Sequence, residues 1–209
     1  MNFDFEKQLQ SQGHTLVAGI DEAGRGPLAG PVVAAATIFN FNEVPEELTI
    51  IKDSKKLSAK KREELFDVIL EKSLAWGVGM CDHYTIDRIN ILQATFLAMK
   101  KALGGLKHKP NIIVLDGNLP LPNYSSPQKS IINGDNLIFS IAAASIIAKV
   151  TRDRIMCEMH NKYPNYFFDK HKGYGTKLHM NALKLYGPCE IHRKSFKPVK
   201  QLINLSSRA

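Results

Sequence analysis

Four acidic residues stand where predicted strands end or a predicted helix begins, rather than along helix faces. Asp21 and Glu22 follow the first predicted strand, Asp116 follows the fourth, and Asp135 precedes a long predicted helix. Carboxylates at the ends of neighbouring strands converge, and clustered carboxylate oxygens suit Mg²⁺ or Mn²⁺. Two such ions, about 3.5–4 Å apart, can stabilise the attacking and leaving oxygens of a phosphoryl transfer. The same positions also fit a turn, a surface charge or a helix N-cap, so both interpretations stay open here.

A glycine–arginine–glycine turn directly follows the acidic pair. Gly24 and Gly26 allow backbone groups to approach a ligand closely, and the guanidinium of Arg25 can form paired hydrogen bonds with a phosphate. The turn is not the dinucleotide-binding GxGxxG motif, because the third glycine is absent and no helix follows. A tight turn with a solvated arginine is the structural alternative.

Two basic segments could contact a nucleic-acid backbone. Residues 52–62, which include Lys55, enter a predicted helix, and lysines at a helix N-terminus favour phosphate. Residues 170–177 combine lysines with Tyr174, which lies between two glycines and offers a flat ring to a sugar or base. The alternatives are a solvated charged helix face and a glycine loop around a half-buried tyrosine.

Composition narrows the class of protein. The 209 residues contain 28 Lys and Arg against 20 Asp and Glu, a net charge of +8 that favours a polyanionic partner such as nucleic acid. No apolar run reaches the ~18 residues of a membrane helix, and the N-terminus lacks the pattern of a signal peptide. The three cysteines are odd in number and far apart, which argues against a disulfide scaffold. We therefore expect a cytoplasmic protein with no membrane partner.

A zinc site is a further possibility that the spacing does not favour. Its ligands would be His171, His179, Cys189 and His192. Their spacing matches no standard zinc pattern, and the chain lacks the paired cysteines of a zinc ribbon.

The hydrophobic pattern predicts a mixed α/β domain around one central sheet. Strands are predicted at residues 16–20, 31–39, 74–80, 111–115 and 128–132, the first two forming an antiparallel hairpin. Helices are predicted at residues 58–73, from Asn90 to Gly104, and at 137–160 and 176–186. The long helix at 137–160 is rich in small residues, so we expect it to approach the sheet closely. The first 15 or so residues are polar and are expected to be frayed or loosely docked.

Seven sequence blocks, in this order, resemble the bacterial type 2 ribonuclease H family, ribonuclease HII. The resemblance runs from about residue 16 to about residue 199. The blocks are GIDEAGRGPLAGP at 19–31, DSKKL at 53–57, LDG at 115–117, GD at 134–135, AAASIIAKVTRDR at 142–154, HKGYGT at 171–176 and HRKSF at 192–196. Each block alone is a modest signal, but their number and order make the match specific.

The resemblance implies an α/β, RNase H-like fold with a mixed central sheet flanked by helices and a C-terminal helical extension. It implies one catalytic domain over residues 1–209, with a core at about 16–160 and the extension at about 161–209. The implied enzyme is a metal-dependent endonuclease that uses Mg²⁺ or Mn²⁺, with two ions per site when substrate is bound. It cleaves the RNA strand of RNA–DNA hybrids and nicks 5′ of single ribonucleotides in duplex DNA, leaving 5′-phosphate and 3′-hydroxyl ends.

The resemblance also assigns roles to individual residues. It makes four carboxylates both catalytic and metal-binding: Asp21, Glu22, Asp116 and Asp135. It makes five residues substrate-binding: Gly24, Arg25 and Gly26 as the sensor of the ribose 2′-hydroxyl, Tyr174 as the ring at the RNA–DNA junction, and Lys55. Asp153, between two arginines on the predicted long helix, is instead expected to form a structural ion pair. The proline-containing loop at 118–127 is the least familiar stretch and is expected to alter a surface rather than the site.

Two other classes of protein fit the sequence less well than a type 2 ribonuclease H. The type 3 ribonuclease H family carries a long additional N-terminal domain, for which the 20 residues before Asp21 leave no room. A non-catalytic hybrid-binding module would be expected to lack at least one of the four acids, and all are present. We expect a monomer. Residues 201–205, QLINL, faintly resemble a peptide that binds a sliding clamp, although five-residue matches arise by chance and an amphipathic C-terminal turn explains them better.

Overall fold

The computed structural model describes residues 3–42, 48, 51 and 57–206. Its strands are β1 (Val17–Ala23), β2 (Val32–Ile38), β3 (Ala75–Cys81), β4 (Ile112–Asp116) and β5 (Gln128–Ile131). Its longer helices are α1 (Asp4–Ser11), α2 (Ala59–Lys72), α3 (His83–Gly104), α5 (Phe139–Lys162), α7 (Lys177–Tyr186) and α8 (Lys197–Ser206). Single-turn helices α4 (Gly134–Leu137) and α6 (Phe168–His171) lie among them, and a 3₁₀ turn spans Pro164–Tyr166.

The strands form one mixed sheet in the order β3-β2-β1-β4-β5. β1 pairs antiparallel with β2, as the hairpin prediction requires, and β2 pairs antiparallel with β3. On its other side β1 pairs parallel with β4, which pairs parallel with β5. The mixed α/β fold class is therefore confirmed, and the carboxyl ends of β1, β4 and β5 lie along one edge.

Alternating residues of β1 and β4 face opposite sides of the sheet. Val17 and Ile112 pair across the two strands and belong to the hydrophobic cluster built on α5. The next residues along, Ala18 and Ile113, belong to the cluster built on α3. Since side chains alternate with a period of two, every second residue after Val17 and Ile112 lies on the α5 side of the sheet.

Helix α5 packs very closely on the sheet. A Cβ atom at Gly19 of β1 would lie 2.2 Å from the main-chain carbon of Ser140 in α5, so only glycine fits there. The alanines of the AAASIIA segment are fully buried in the cluster on α5. This confirms the expectation that the small residues of the long helix allow a close approach.

The N-terminal segment differs from its prediction. Residues predicted to be frayed form α1, whose Leu9 is buried in the cluster on α5. Glu6 is also fully buried, and its Oε1 accepts hydrogen bonds from Ser140 N (2.9 Å) and Ser140 Oγ (3.0 Å). The carboxyl thus accepts a hydrogen bond from a main-chain N–H in the first turn of α5, which has no carbonyl partner within the helix. The polar composition of this segment did not indicate the contact, because the residue that makes it, Glu6, is charged.

Replacing Glu6 with glutamine should change how stability depends on pH. Burial raises the pKa of the Glu6 carboxyl above its ordinary value. The folded state therefore binds a proton that the unfolded state has lost, and wild-type stability falls as pH rises from the ordinary carboxyl pKa through the raised one. Glutamine still accepts from Ser140 but does not titrate. In urea denaturation the variant should match wild type at acidic pH and gain relative stability across that window, with a constant difference above it; a pH-independent difference would contradict this.

Two further element boundaries differ from the prediction. Helix α3 begins at His83, seven residues before Asn90, but Asn90 has φ 65° and its Oδ1 accepts from Leu92 N (3.0 Å) and Gln93 N (3.1 Å). Asn90 therefore caps the second segment of a kinked helix, as predicted, while the first segment was missed. At the C-terminus a helix, α8, replaces the expected turn, and its Val199 is fully buried.

A third hydrophobic cluster, which we call the C-terminal cluster, joins the last helices to the loop after β1. It contains Met156 of α5, Phe168, Leu183 of α7 and Val199 of α8, and also Leu28 and Ala29 from the β1–β2 connection. Within the described residues, none of the helices is both long and apolar enough to cross a membrane.

Candidate active site

Asp21 and Asp116 lie near the carboxyl ends of two neighbouring parallel strands, on the same side of the sheet. Ile20 of β1 pairs with Leu115 of β4, so the two aspartates are the next residues along each strand. Both follow the alternation that places Val17 and Ile112 on the α5 side. Asp21 is 5% exposed, and β1 extends through it to Ala23, past the predicted strand end at residue 20.

Glu22 follows Asp21 and therefore faces the opposite side of the strand. Its Oε1 accepts from Arg25 Nη1 at 3.2 Å, an ion pair in which the arginine is half exposed and the carboxylate nearly buried. Glu22 and Asp116 also line a small cavity together with Phe96 and Met99 of α3. The carboxylates thus lie at the edge of the sheet, where both of its sides are accessible.

A cavity of about 420 Å³, the acidic cavity, opens at this edge. Its polar lining consists of three carboxylates, Asp21, Glu22 and Asp116, with Ser145 and the basic residues Arg25, Arg62 and Lys149. Gly24, Gly26 and Tyr174 line it as well. Seven of the nine predicted site residues, all but Asp135 and Lys55, therefore line the same cavity.

Asp135 occupies a different position from the other three acids. It lies in α4, fully buried, and its Oδ1 accepts from Asn136 Nδ2 at 2.9 Å. The neighbouring Gly134 donates its N–H to Asp116 Oδ1 at 2.7 Å, so α4 is hydrogen-bonded to the end of β4. Asp135 is thus beside the acidic cavity without lining it. Asn133, with φ 57°, precedes α4, so Asp135 is not the N-cap that sequence reasoning left open.

Burial and like charge disfavour ionisation of two carboxyls. The pKa of Asp21 lies well above its usual range, first because it is buried and then because Glu22 and Asp116 are close, although a hydrogen bond from Ser145 opposes this. The pKa of Glu22 is also raised by burial, and the charge of Arg25 opposes this. A cation placed between these groups would reverse both effects, because it stabilises the ionised forms.

The carboxylate oxygens of the acidic cavity suit a hard divalent cation whose coordination shell is completed by water and substrate. Among residues 3–42, 48, 51 and 57–206, no three Asp, Glu, His or Cys side chains stand ready to hold a metal ion. Each cavity carboxylate instead accepts a protein hydrogen bond, such as Glu22 N–H to Asp21 Oδ1 at 2.7 Å. Mg²⁺ usually takes one or two carboxylates together with water and substrate phosphates, so an incomplete protein set fits it.

The glycine–arginine–glycine turn and Tyr174 form one wall of the acidic cavity. Gly24 has φ +97°, and a Cβ there would lie 2.1 Å from Arg152 Nε, so the position requires glycine. A Cβ at Gly26 would lie 3.6 Å from Tyr174 Cε1, which places the tyrosine ring over the turn. The ring is 45% exposed. The two motifs, 148 residues apart by number, are thus brought together as the predicted substrate-binding pair.

The comparisons with known proteins agree with this geometry. The family model described as Ribonuclease HII matches residues 18–199. The chain belongs to the ribonuclease HII family. A ribonuclease HII of Caldicellulosiruptor bescii is 51% identical over 203 residues, which cover 97% of this chain and 96% of that protein. As members of this family are, the protein is a ribonuclease H, an endonuclease that hydrolyses the RNA strand of RNA–DNA hybrids.

Solved structures of other ribonucleases H share the fold of this chain. The ribonuclease H2 of Pyrococcus horikoshii superposes with a TM-score of 0.78 at 27% identity and covers 93% of this chain and 100% of its own. A complex of PCNA with RNase HII from Archaeoglobus fulgidus gives a TM-score of 0.73 at 26% identity, covering 89% and 96%.

Three residues of the acidic cavity were not singled out as site residues from the sequence. Ser145 and Lys149 are four apart on α5, on the helix face that meets the acidic edge, and Lys149 Nζ pairs with Asp153 Oδ1 at 2.6 Å. Arg62 lies in the basic stretch noted at the start of α2. The i, i+4 spacing of a serine and a lysine on a helix whose buried face is alanine-rich was the available signal.

Three further predictions concern Lys55, Asp153 and the loop after β4. Lys55 lies outside the described residues, so its predicted role stays a prediction. Asp153 forms the expected ion pair, but with Lys149 rather than the arginines beside it. The loop after β4 was expected to alter only a surface, yet Asn118 and Leu119 line the small cavity beside Glu22 and Asp116. It therefore adjoins the site.

The four residues of the zinc alternative lie closer together than their spacing suggests. His179 Nε2 and His192 Nε2 are 3.0 Å apart, and Cys189 Sγ is 3.1 Å from His192 Nδ1. His171 stacks on His179 with ring centroids 4.5 Å apart. Direct contact between ring nitrogens at hydrogen-bond distance means that a proton bridges them. The cluster is a hydrogen-bonded network beneath Tyr174.

Proposed function

We propose that the acidic cavity is where this ribonuclease HII cleaves RNA, with Mg²⁺ or Mn²⁺ held by Asp21, Glu22, Asp116 and Asp135. The observation that carries the proposal is the placement of Asp21 and Asp116 on one side of the sheet at the ends of paired strands. Glu22 in the same cavity and Asp135 on the adjoining α4 supply the remaining oxygens. We also propose that residues about 16–160 are the catalytic core, with an extension at about 161–209.

The chemistry follows from these groups. These carboxylates would hold two ions, whose Lewis acidity would activate a water and stabilise the leaving 3′ oxygen. The carboxyls of Asp21 and Glu22 must be ionised to act, and burial, which raises the pKa of both, makes their ionisation harder than that of a solvated carboxyl. Arg62 and Lys149 line the same cavity and can orient the scissile phosphate. Cleavage on the 3′-oxygen side leaves 5′-phosphate and 3′-hydroxyl ends.

We propose further that the enzyme nicks 5′ of a single ribonucleotide embedded in duplex DNA. Apart from the thymine methyl, such a site differs from its neighbours by one 2′-hydroxyl. The Gly24–Gly26 turn presents main chain at the cavity wall, where a small hydroxyl can be reached. The half-exposed ring of Tyr174 can lie against the next sugar, where a deoxyribose fits closely and a 2′-hydroxyl would clash.

A duplex that carries one ribonucleotide tests both proposals. We expect a single nick 5′ of that ribonucleotide with Mg²⁺ or Mn²⁺ and none with EDTA, and end analysis should show 5′-phosphate and 3′-hydroxyl. The same duplex without a ribonucleotide is the control. Cleavage in EDTA would refute metal dependence. An enzyme that cleaves an RNA–DNA hybrid but not the duplex with one ribonucleotide would refute recognition of the single ribonucleotide.

Binding of the hybrid should weaken steeply with salt. The net charge of +8, with basic residues concentrated at 55–62 and 170–177, favours contacts with phosphates. Each neutralised phosphate should contribute about 0.9 to the log–log slope, so about five contacts give a slope of roughly −4 to −5. Fluorescence anisotropy of a labelled hybrid with Ca²⁺ in place of Mg²⁺ measures it between 50 and 300 mM salt. A slope near zero would mean that these residues do not contact the backbone.

We retain a sliding clamp as a proposed partner on one observation, the PCNA complex of the Archaeoglobus fulgidus ribonuclease HII. In this chain residues 201–205 lie in α8, and Leu202 and Ile203 pack against the C-terminal cluster. A clamp that bound this segment as a free peptide would have to displace it from that cluster. A binding assay of the full chain with a purified bacterial clamp tests the proposal.

A further inference from the structure

The guanidinium of Arg193 is the centre of the Gly24–Gly26 turn and its continuation into β2. Arg193 is fully buried, and each of its five N–H donors contacts a main-chain carbonyl oxygen. The acceptors are Gly24 (2.6 Å), Arg25 (3.0 Å), Pro27 (2.8 Å), Gly30 (3.0 Å) and Pro31 (3.1 Å). A buried charge is tolerated only when it is fully hydrogen-bonded, so these five carbonyls are required to turn inward.

Inward carbonyls determine where the peptide N–H groups point. The described peptide bonds are all trans, and in a trans peptide the N–H is directed opposite to the C=O. Since the carbonyls of Gly24 and Arg25 point to Arg193, the N–H groups of Arg25 and Gly26 point away from it. Gly24, Arg25 and Gly26 line the acidic cavity and Arg193 does not, which indicates that the cavity lies on the side of the turn away from the guanidinium. Arg193 therefore aims two donors of the turn toward the cavity.

His192, the residue before Arg193, reaches the Tyr174 loop. His179 Nδ1 lies 2.9 Å from the carbonyl oxygen of Tyr174, so this nitrogen carries the proton. Cys189 N–H donates to His192 Nδ1 at 2.9 Å, which leaves the proton of His192 on Nε2. His192 Nε2–H then donates to His179 Nε2 at 3.0 Å. Burial lowers the pKa of His179 to about 4 and that of His192 to about 3, so both rings stay neutral and keep these roles.

The main chain of this dipeptide is itself bonded to the same connection. His192 forms an isolated antiparallel bridge with Ala29, and Arg193 N–H donates to Leu28 O at 2.8 Å. Leu28 N–H in turn donates to Gly173 O at 2.8 Å. One short segment from the C-terminal part of the chain is thus hydrogen-bonded directly to the Gly24–Gly26 turn, and to the Tyr174 loop through His179 and Leu28.

We propose that His192 and Arg193 are positioning residues for ribonucleotide recognition. Arg193 sets the direction of the N–H groups in the Gly24–Gly26 turn, and His192, through His179, sets the position of Tyr174 over that turn. The inference rests on the proposed function, because it assumes that the turn and Tyr174 read the 2′-hydroxyl and the junction. It assigns to the C-terminal segment a part in choosing substrate beyond that of packing.

Arg193→Lys tests the arginine. Lysine keeps the charge but has three donors in place of a planar set of five, so the turn loses part of its support. We expect kcat/KM for a duplex with one ribonucleotide to fall at least tenfold. The Kd for the all-DNA duplex of the same sequence should stay within about twofold of the wild-type value. The basic residues at 55–62 and 170–177, to which we assign the phosphate contacts, are unchanged in this variant. Leu103→Ala, in the cluster on α3, is the control for a general loss of stability.

A double-mutant cycle tests the histidine independently. If His192 acts through Tyr174, His192→Gln should lower nicking in the wild-type background and have little further effect once Tyr174→Ala is present. Independent effects that multiply would overturn the histidine part. If Arg193→Lys does not fold, Arg193→Gln, which keeps side-chain N–H donors without the buried charge, replaces it in the same comparison for the arginine part, and this cycle decides the histidine part.

The remaining outcomes separate the inference from the proposed function. An Arg193→Lys enzyme whose nicking and DNA binding fall in parallel, as Leu103→Ala would produce, would overturn the arginine part. A wild-type enzyme that cleaves hybrid but does not nick at a single ribonucleotide would instead refute the proposed function, and the inference would fall with it.

Discussion

Replacing Asp116 with asparagine should abolish detectable cleavage while the fold remains intact. Asp116 ends β4 beside Asp21, and its Oδ1 accepts the N–H of Gly134, which an asparagine oxygen can also accept. The variant therefore loses a charged ligand without losing that hydrogen bond. Metal-ion stabilisation of a phosphoryl transfer amounts to several kcal/mol, so we expect a loss of at least about 10²–10³-fold in kcat. Single-turnover cleavage of an RNA–DNA hybrid at saturating Mn²⁺ measures it.

The metal-free variant should be at least as stable as wild type. The negative charge of Asp116 contributes to the raised pKa of Asp21 and of Glu22, and asparagine removes that repulsion. Asp67→Asn is a matched control, because Asp67 is an exposed aspartate on α2 that does not line the acidic cavity. Near wild-type turnover by Asp116→Asn at saturating metal would remove Asp116 from the catalytic set.

The position of the acidic site could be predicted because it depends on local rules. Asp21 and Asp116 each directly follow a run of apolar residues, and the end of such a run marks where a strand nears its carboxyl end, even though β1 continues two residues beyond Asp21. The side of the sheet on which each lies also follows from the sequence. Asp21 is four residues after Val17 and Asp116 is four residues after Ile112, so each aspartate faces the same side as that apolar residue. Strand pairing could not be predicted in the same way, because the paired residues of β1 and β4 are 95 positions apart and their contact depends on the whole sheet.

The residues that support the site were less readable because their surroundings come from distant parts of the chain. Arg193 is a basic residue in a basic protein, and nothing in its local sequence marks it as fully buried. Its burial follows from five carbonyls of the β1–β2 connection, about 165 residues earlier. Glu6 was hidden in the same way, because its role depends on the start of α5. Charged residues in cores are predictable only with their partners, and those partners are set by the tertiary fold.

Replacing Tyr174 with alanine should reduce nicking at a single ribonucleotide much more than it reduces duplex binding. The ring lies over Gly26 at the cavity wall and is half exposed, as a surface that stacks on a sugar should be. Loss of one such stack should cost about 1–3 kcal/mol, or roughly a ten- to a hundredfold reduction in kcat/KM. The main-chain contacts of residue 174, with His171 O and His179 Nδ1, do not require its side chain. The loop should therefore keep its conformation.

The measurement compares nicking of the junction duplex with binding of a non-cleavable DNA duplex, for wild type, Tyr174→Ala and a control. Tyr84→Ala is the matched control, because Tyr84 on α3 is also an exposed tyrosine but does not line the acidic cavity. Tyr174→Phe should retain most activity, since the stacking surface and not the hydroxyl carries the proposed contact. If nicking and binding fall together in Tyr174→Ala, or if neither falls, the ring does not read the junction and its loop serves only the packing against the Gly24–Gly26 turn.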